Sequence, residues 1–379
     1  HEIGRVVEAI DEVGQLDNTL VVFVAGDNGT SSEGGRNGMF SEMTYFNGVQ
    51  ETVEDMLKKI DKWGGPETYP HMAAGWAVAF DTPYKWTKQV ASDHGGTKVG
   101  MAIHWPAGIE SAGEQRTQFA HVIDVAPTIL EAAGLPEPSE INGTKQVPMD
   151  GVSMLYTFDK KNADAPSTHK TQYFEMIGDR AIYHDGWILS TKVMRVPWDN
   201  SGTADKDPAS WPWELYDLSK DWTQFNDVAA QYPEKVKELE KLFYEEAERN
   251  QVMPMDTTTF TRSLLPRPNL TAGRSVFTYA GEVTGTPNGN APNLLASSYN
   301  IKAEIEVPEG GVEGMLVTQG GRFAGYGFYL LDGKPVYLWN LFGMQRVKWE
   351  GKKALSPGKH VLEFDFEYDG LGAETLKYG

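Results

Sequence analysis

Two short segments carry side chains whose types and spacing could do chemistry. Gly26-Asp27-Asn28-Gly29-Thr30 sets a carboxylate beside an amide oxygen, both hard donors of the kind Ca²⁺ or Mg²⁺ takes. Asp, Asn and Gly are also favoured turn residues, so the motif gains meaning only from its place. That place is directly after Leu20-Val-Val-Phe-Val-Ala25, a continuous apolar run. In an open α/β sheet, ligands bind outside the carboxyl ends of the strands. The second segment runs from Lys85-Trp86-Thr87-Lys88 to Ser92-Asp93-His94-Gly95-Gly96-Thr97-Lys98. Its lysines could hold an anionic substrate or could simply be solvated. His71 and His104 are further possible ligands or acids, with packed or surface histidines as the alternative.

Elements must hold these loops. Ile3, Val6, Val7, Ile10 and Val13 recur at helical spacing and Gly14 follows as a stop. The run 20–25, apolar on both faces, suits the interior of a parallel sheet covered by helices. Gly100-Met-Ala-Ile-His-Trp105, ended by Pro106, reads as another strand of that sheet. Helix–loop–strand order predicts an α/β layer. Asp124 reads as a helix cap, with Pro127 in the first turn and Gly134 beyond the end.

From about residue 166 the pattern changes. Tyr173–Met176 and Ala181–Leu189 read as a hairpin, and Trp213–Leu218 as a further strand. Pro233 opens a long amphipathic helix with Val236, Leu239, Leu242, Phe243 and Ala247 on one side. A Pro-, Thr- and Met-rich connector spans 250–274. Two-residue alternation follows in Ile301, Ala303, Ile305, Val307, then Tyr326, Phe328, Leu330, then Val361, Phe364, Phe366. This predicts an all-β sandwich. The aromatics Tyr326, Phe328, Tyr329, Tyr337, Trp339 and Phe342 could bind sugars if exposed, but alternate aromatics in a sandwich are more often core. The expected division is 1–165, 166–262 and 263–379.

With 379 residues and a mass of 42.0 kDa, the chain is long enough for two or three domains with real cores. Its net charge of −19 argues against nucleic acid or an anionic membrane surface as the main partner. No apolar run approaches the roughly 18 residues of a membrane span. The lack of cysteine excludes disulfides, thiolate zinc sites and cysteine nucleophiles within this stretch. Sequons stand at Asn28, Asn142 and Asn269. They matter only in a glycosylating secretory pathway. Localisation stays open, with periplasmic or secreted placement preferred to cytoplasmic.

The order Gly-Asp27-Asn28-Gly, Glu33-Gly-Gly, Gly75-Trp-Ala, Pro83-Tyr-Lys-Trp-Thr-Lys88-Gln, Gly95-Gly-Thr-Lys98 resembles the type I sulfatases. These are the arylsulfatase-like members of the alkaline phosphatase superfamily. His121-Val-Ile-Asp124 through Gly134, Asp150-Gly-Val-Ser153, Trp213-Glu-Leu-Tyr-Asp-Leu, Asn226-Asp-Val-Ala and Gly320-Gly-Arg-Phe continue the likeness. The resemblance implies an α/β sheet with helices on both faces, a small α+β subdomain and a C-terminal β-sandwich.

It also implies hydrolysis of sulfate monoesters with one divalent cation, usually Ca²⁺ with Mg²⁺ possible, and a formylglycine nucleophile made from a C/S-x-P-x-R motif. Asp27 then resembles a metal ligand and proton acceptor beside the nucleophile, and Asn28 the neighbouring metal ligand. Lys88 resembles the lysine that contacts the sulfate and the leaving-group oxygen, chosen over Lys85 by its distance from Gly95-Gly96. His94 stands one position from where a Ser-His pair is expected. It is either that histidine displaced or an ordinary loop histidine.

The chain contains no C/S-x-P-x-R motif. The family's paired N-terminal aspartates and its other Lys-x-His and His contributors are also missing. The expectation is therefore a C-terminal portion, inactive by itself, whose partner is the missing N-terminal portion and whose substrate is a sulfated small molecule or carbohydrate. The alternatives are a phosphodiester or phosphonate monoester hydrolase of the same superfamily, and a non-catalytic binding fragment.

Overall fold

The computed structural model describes residues 1–46, 51–110, 112–198, 207–258, 270–321, 323–341, 343 and 345–370. Phe342, Arg322 and the sequon at Asn269 lie outside the described residues, as does part of the expected connector. The chain divides into two compact units. One is His1–Phe40 with Val53–Ser263, and the other is Ser41–Thr52 with Leu264–Gly379.

In the first unit α1 (Glu2–Glu12) leads to β1 (Val21–Val24). Gly14 ends the helix turn at φ +68°, a left-handed conformation that glycine adopts without steric cost. No residue of α1 is buried. The short helix α2 (Glu42–Phe46) belongs to the second unit, while α3 (Val53–Leu57), α4 (Ala74–Asp81) and α5 (His94–Thr97) belong to the first.

Then comes β2 (Met101–His104), which pairs with β1 in the antiparallel sense, Val21 opposite His104 and Val24 opposite Met101. The expected parallel direction is thereby corrected. An apolar run records burial but carries no direction, and here Phe23 and Met101 are exposed.

Helix α6 (Val125–Ala132) starts where expected, but Asp124 does not cap it with its side chain. A 3₁₀ turn, Val122–Asp124, precedes the helix, and the Asp124 carboxylate instead accepts from the His121 amide in a capping box. A small hairpin follows, β3 (Glu140–Ile141) and β4 (Thr144–Lys145), turned at Asn142-Gly143.

Four strands then form an antiparallel meander: β5 (Thr171–Met176), β6 (Asp179–His184), β7 (Trp187–Thr191) and β8 (Trp213–Asp217). The expected single hairpin is really two. Ile177-Gly178 and Asp185-Gly186, all at positive φ, make the two-residue turns whose twist suits paired strands.

One face of the meander packs Ile182, Leu189 and Leu215 against Leu239, Phe243 and Ala247 of α7 (Pro233–Arg249), whose spacing keeps them on one stripe. The opposite face carries Ala181, Ile188 and Tyr216. It is this face that meets the lysine-bearing loop.

The second unit contains β9 (Tyr299–Val307), β10 (Gly314–Gly320), β11 (Gly325–Leu331), β12 (Lys334–Leu341), β13 (Gln345–Glu350) and β14 (Gly358–Phe366). β10 to β13 form one antiparallel sheet and β9 with β14 another. Phe328, Leu330, Tyr337 and Leu362 are buried between them, and Tyr337 stacks on Phe364 at 3.8 Å. The alternation of apolar residues puts these side chains inward. Tyr326, Tyr329 and Trp339 are half-buried.

Candidate active site

The Asp27-Asn28 loop leaves β1 through Gly26, held at φ +95°. Two interlocking loops then form. The Gly29 amide donates to the Gly96 carbonyl at 3.0 Å, and the Lys88 amide donates to the Thr30 carbonyl at 3.1 Å. A Cβ on Gly29 would lie 1.7 Å from the Gly95 carbonyl oxygen, and one on Gly95 would lie 2.1 Å from the Lys85 carbonyl oxygen. The double glycine is therefore a packing requirement, because two backbones pass where no side chain fits.

Polar side chains lock the crossing. Asp81, the last residue of α4, accepts from the Thr30 amide at 3.1 Å and from its hydroxyl at 2.6 Å. Ser32 and Thr87 share a buried hydroxyl–hydroxyl bond of 2.7 Å.

The two lysines of the second loop take different roles. Lys85 Nζ lies 3.3 Å from the buried Asp93 carboxylate and donates to the Tyr216 hydroxyl at 2.9 Å. It is a structural cation between the loop and the meander. Lys88 is half-exposed, and its Nζ lies 3.4 Å from Glu33. Lys88 and Asn28 both line a cleft of about 780 Å³, together with His121, Gln172, Glu175, Arg249 and others. That volume suits a small organic ligand.

A buried polar group sits behind this cleft. The Asp124 carboxylate accepts from the His121 and Val152 amides, each at 2.7 Å, and from His169 Nδ1 at 2.8 Å. His169 Nε2 lies 3.0 Å from the Thr171 carbonyl oxygen. Burial pushes the Asp124 carboxyl up, but the His169 bond and the two amides outweigh it and hold the pKa below the ordinary value. His169 is raised, chiefly by its bond to Asp124. Burial lowers His121 and so favours its neutral form.

Sequence reasoning read Asp124 only as a cap and gave His169 no role. No local pattern connects the two residues.

The remaining sequence candidates are placed apart from one another. Asp27 is exposed beside Asn28. The His94 ring packs edge-on to Tyr84 at 5.8 Å, with Nδ1 3.3 Å from the Trp222 carbonyl oxygen. Burial and the nearby Lys98 lower its pKa to about 4. It stands among aromatics and not among the residues that line the cleft. His71 takes part in a backbone bridge with Met39, and His104 is exposed on β2.

Asp27 and Asn28 match a hard cation in kind, but no group of three or more His, Asp or Glu that could hold a metal occurs among the described residues. Two donors fall short of the roughly six to eight oxygens of a Ca²⁺ site.

Comparison with known proteins adds what the chain is similar to. The sulfatase family model matches residues 1–135. An uncharacterised sulfatase of Schizosaccharomyces pombe is 28% identical over 62% of this chain and 39% of its own length. The arylsulfatase of Klebsiella aerogenes is 27% identical over 47% of this chain and 34% of its own. The N-acetylglucosamine-6-O-sulfatase of Bacteroides thetaiotaomicron is 24% identical over 64% and 32%. The chain thus spans between 32% and 39% of the length of these curated relatives. Among solved structures, Ps i-CgsB aligns over 69% of this chain and 43% of that one, at 21% identity and a TM-score of 0.43. A sulfatase model thus matches the first 135 residues and curated sulfatases align along more than half of the chain, so this chain is similar to the sulfatases.

Proposed function

We propose that this chain contributes the anion-holding lysine and part of the cation site to a hydrolase of sulfate monoesters. The observation that supports this most is the crossing of the two loops, which brings Asn28 and Lys88 to one cleft although 60 positions separate them. Sulfate ester cleavage shifts negative charge from sulfur toward the leaving oxygen. A fixed ammonium stabilises that charge without reorganising during the reaction.

In this reading Lys88 holds the sulfate oxygens and meets the charge on the leaving group. Asp27 and Asn28 are two ligands of Ca²⁺ or Mg²⁺, and the Asp27 carboxylate accepts a proton from the nucleophile. The formylglycine and the other ligands come from outside these 379 residues. A bound cation would supply further electrostatic stabilisation of the sulfate oxygens. The names of the relatives include an arylsulfatase and a sugar sulfatase, so both substrate classes belong in the assay.

The test is hydrolysis of 4-nitrophenyl sulfate and of a 6-O-sulfated N-acetylglucosamine by the gene product that contains this chain. Lys88→Ala should lower kcat/KM about 100-fold or more, by analogy with removal of one oxyanion donor, while the melting temperature stays within about 2 °C because Lys88 is half-exposed. Equal loss of turnover and stability would remove Lys88 from the chemistry. Faster cleavage of a phosphonate monoester than of either sulfate would transfer the chain to the alternative activity.

A further inference from the structure

Lys88 is flanked by two residues in a conformation that side chains seldom adopt. Trp86 has φ 66° and Gln89 has φ 77°. Neither is Gly, Asn or Asp, so both positions carry strain that the surroundings must hold in place.

What holds Gln89 is visible. Arg195 Nη1 donates to the Gln89 side-chain oxygen at 3.2 Å, and Arg195 Nη2 donates to its backbone carbonyl at 3.4 Å. Arg195 is itself buried, 3.6 Å from the fully buried Asp179 at the start of β6. The Gln89 side-chain amide in turn donates to Glu33 Oε1. Glu33 Oε2 accepts from the Ser31 hydroxyl at 3.0 Å and stands 3.4 Å from Lys88 Nζ.

These contacts form one chain from the meander to the lysine: Asp179, Arg195, Gln89, Glu33, Lys88. We propose that Glu33, held by Gln89 and Ser31, is the positioning carboxylate that fixes the Lys88 ammonium at the wall of the cleft. This rests on the reading of Lys88 as the anion-holding cation.

The charges are consistent with that role. Burial pushes the Glu33 carboxyl up, but the Gln89 bond and the Lys88 charge outweigh it and keep the pKa below the ordinary value. A lone surface lysine would sample many rotamers. A carboxylate held by an amide on its far oxygen and by a hydroxyl on the oxygen beside the lysine leaves it few. The strained backbone at 86 and 89 then has a reason. It sets Lys88 and Gln89 together at the cleft, where Gln89 reaches both Arg195 and Glu33.

The test separates this role from the activity itself. Lysines of the gene product that contains this chain are reductively methylated with ¹³C-formaldehyde, and the Lys88 dimethylamine signal is assigned by its loss in Lys88→Arg. Glu33→Gln should move that signal to the position of solvent-exposed lysines. Gln89→Asn should do the same, because asparagine tolerates positive φ but falls short of Glu33 and Arg195. Its stability should be kept or raised as strain is relieved.

In the active gene product both variants should lose about 10- to 100-fold in kcat/KM, the scale of a misplacement of about 1 Å. Glu33→Asp should recover part of the loss. An unmoved Lys88 signal in both variants overturns the proposal whether or not sulfate esters are cleaved. A moved signal with no sulfate turnover in the wild type leaves the positioning standing and removes the sulfatase reading.

Discussion

His169 has two ring nitrogens and an acceptor at each, the Asp124 carboxylate and the Thr171 carbonyl. Both nitrogens donate only when the ring is protonated. The pair therefore ties the start of β5 to the turn before α6 most firmly as an ion pair. The signs follow from linkage. His169 is raised in the fold, so its contribution is complete below the unfolded value of about 6.5 and fades as pH rises through the folded value. Asp124 is lowered, so its contribution is present above about 3.9 and fades as pH falls through the folded value. The stability difference between wild type and His169→Gln, measured by urea unfolding across pH 3 to 10, should be largest between those limits and fall on both sides. A difference that stays flat would mean that the ring is neutral and merely packed.

At the scale of elements, α7 and the meander share a fully buried core in the first unit. Leu239, Phe243 and Ala247 repeat every four residues and are fully buried on Ile182, Leu189 and Leu215. Leu239→Ala should cost about 2–5 kcal/mol in chemical denaturation. Glu238→Ala, on the exposed side of the same turn, should cost less than about 0.5 kcal/mol. Similar losses at both positions would mean that the helix is not held by this face. The opposite face of the meander has another task. It carries Tyr216, which receives Lys85, and Asp179, which holds Arg195. A sheet that is apolar toward its helix and polar toward a loop can both fold and set that loop's geometry.

Over the whole molecule, the net charge of −19 is the dominant electrostatic fact. Like charges repel more strongly in the compact state than in the expanded one. Raising NaCl from about 10 mM to about 0.3 M, which brings the Debye length to a few ångströms, should raise the melting temperature of the wild-type chain. A fall would mean that local ion pairs outweigh the general repulsion. The two compact units have separate cores, one around Leu239 and Phe243 and the other around Phe328 and Tyr337.

The sequence by itself determined the local elements. Helical spacing marked α1 and α7, two-residue alternation marked the strands of the second unit, and Gly14 marked a helix end. Each is a property of neighbouring residues, so a periodic pattern is enough to reveal it. It also brought out Asp27, Asn28 and Lys88 as candidates, because their residue types and order resemble a family.

Only the tertiary structure decided that β1 and β2 run antiparallel, since an apolar strand has no written direction. It alone separated Lys85, held by Asp93 and Tyr216, from Lys88 at the cleft. It also joined Glu33 to Gln89 across 56 positions and Gln89 to Arg195 across 106. Those pairings depend on backbone crossings that glycine permits and on buried polar groups that must find partners. Neither condition is written in the residues adjacent to the ones they position.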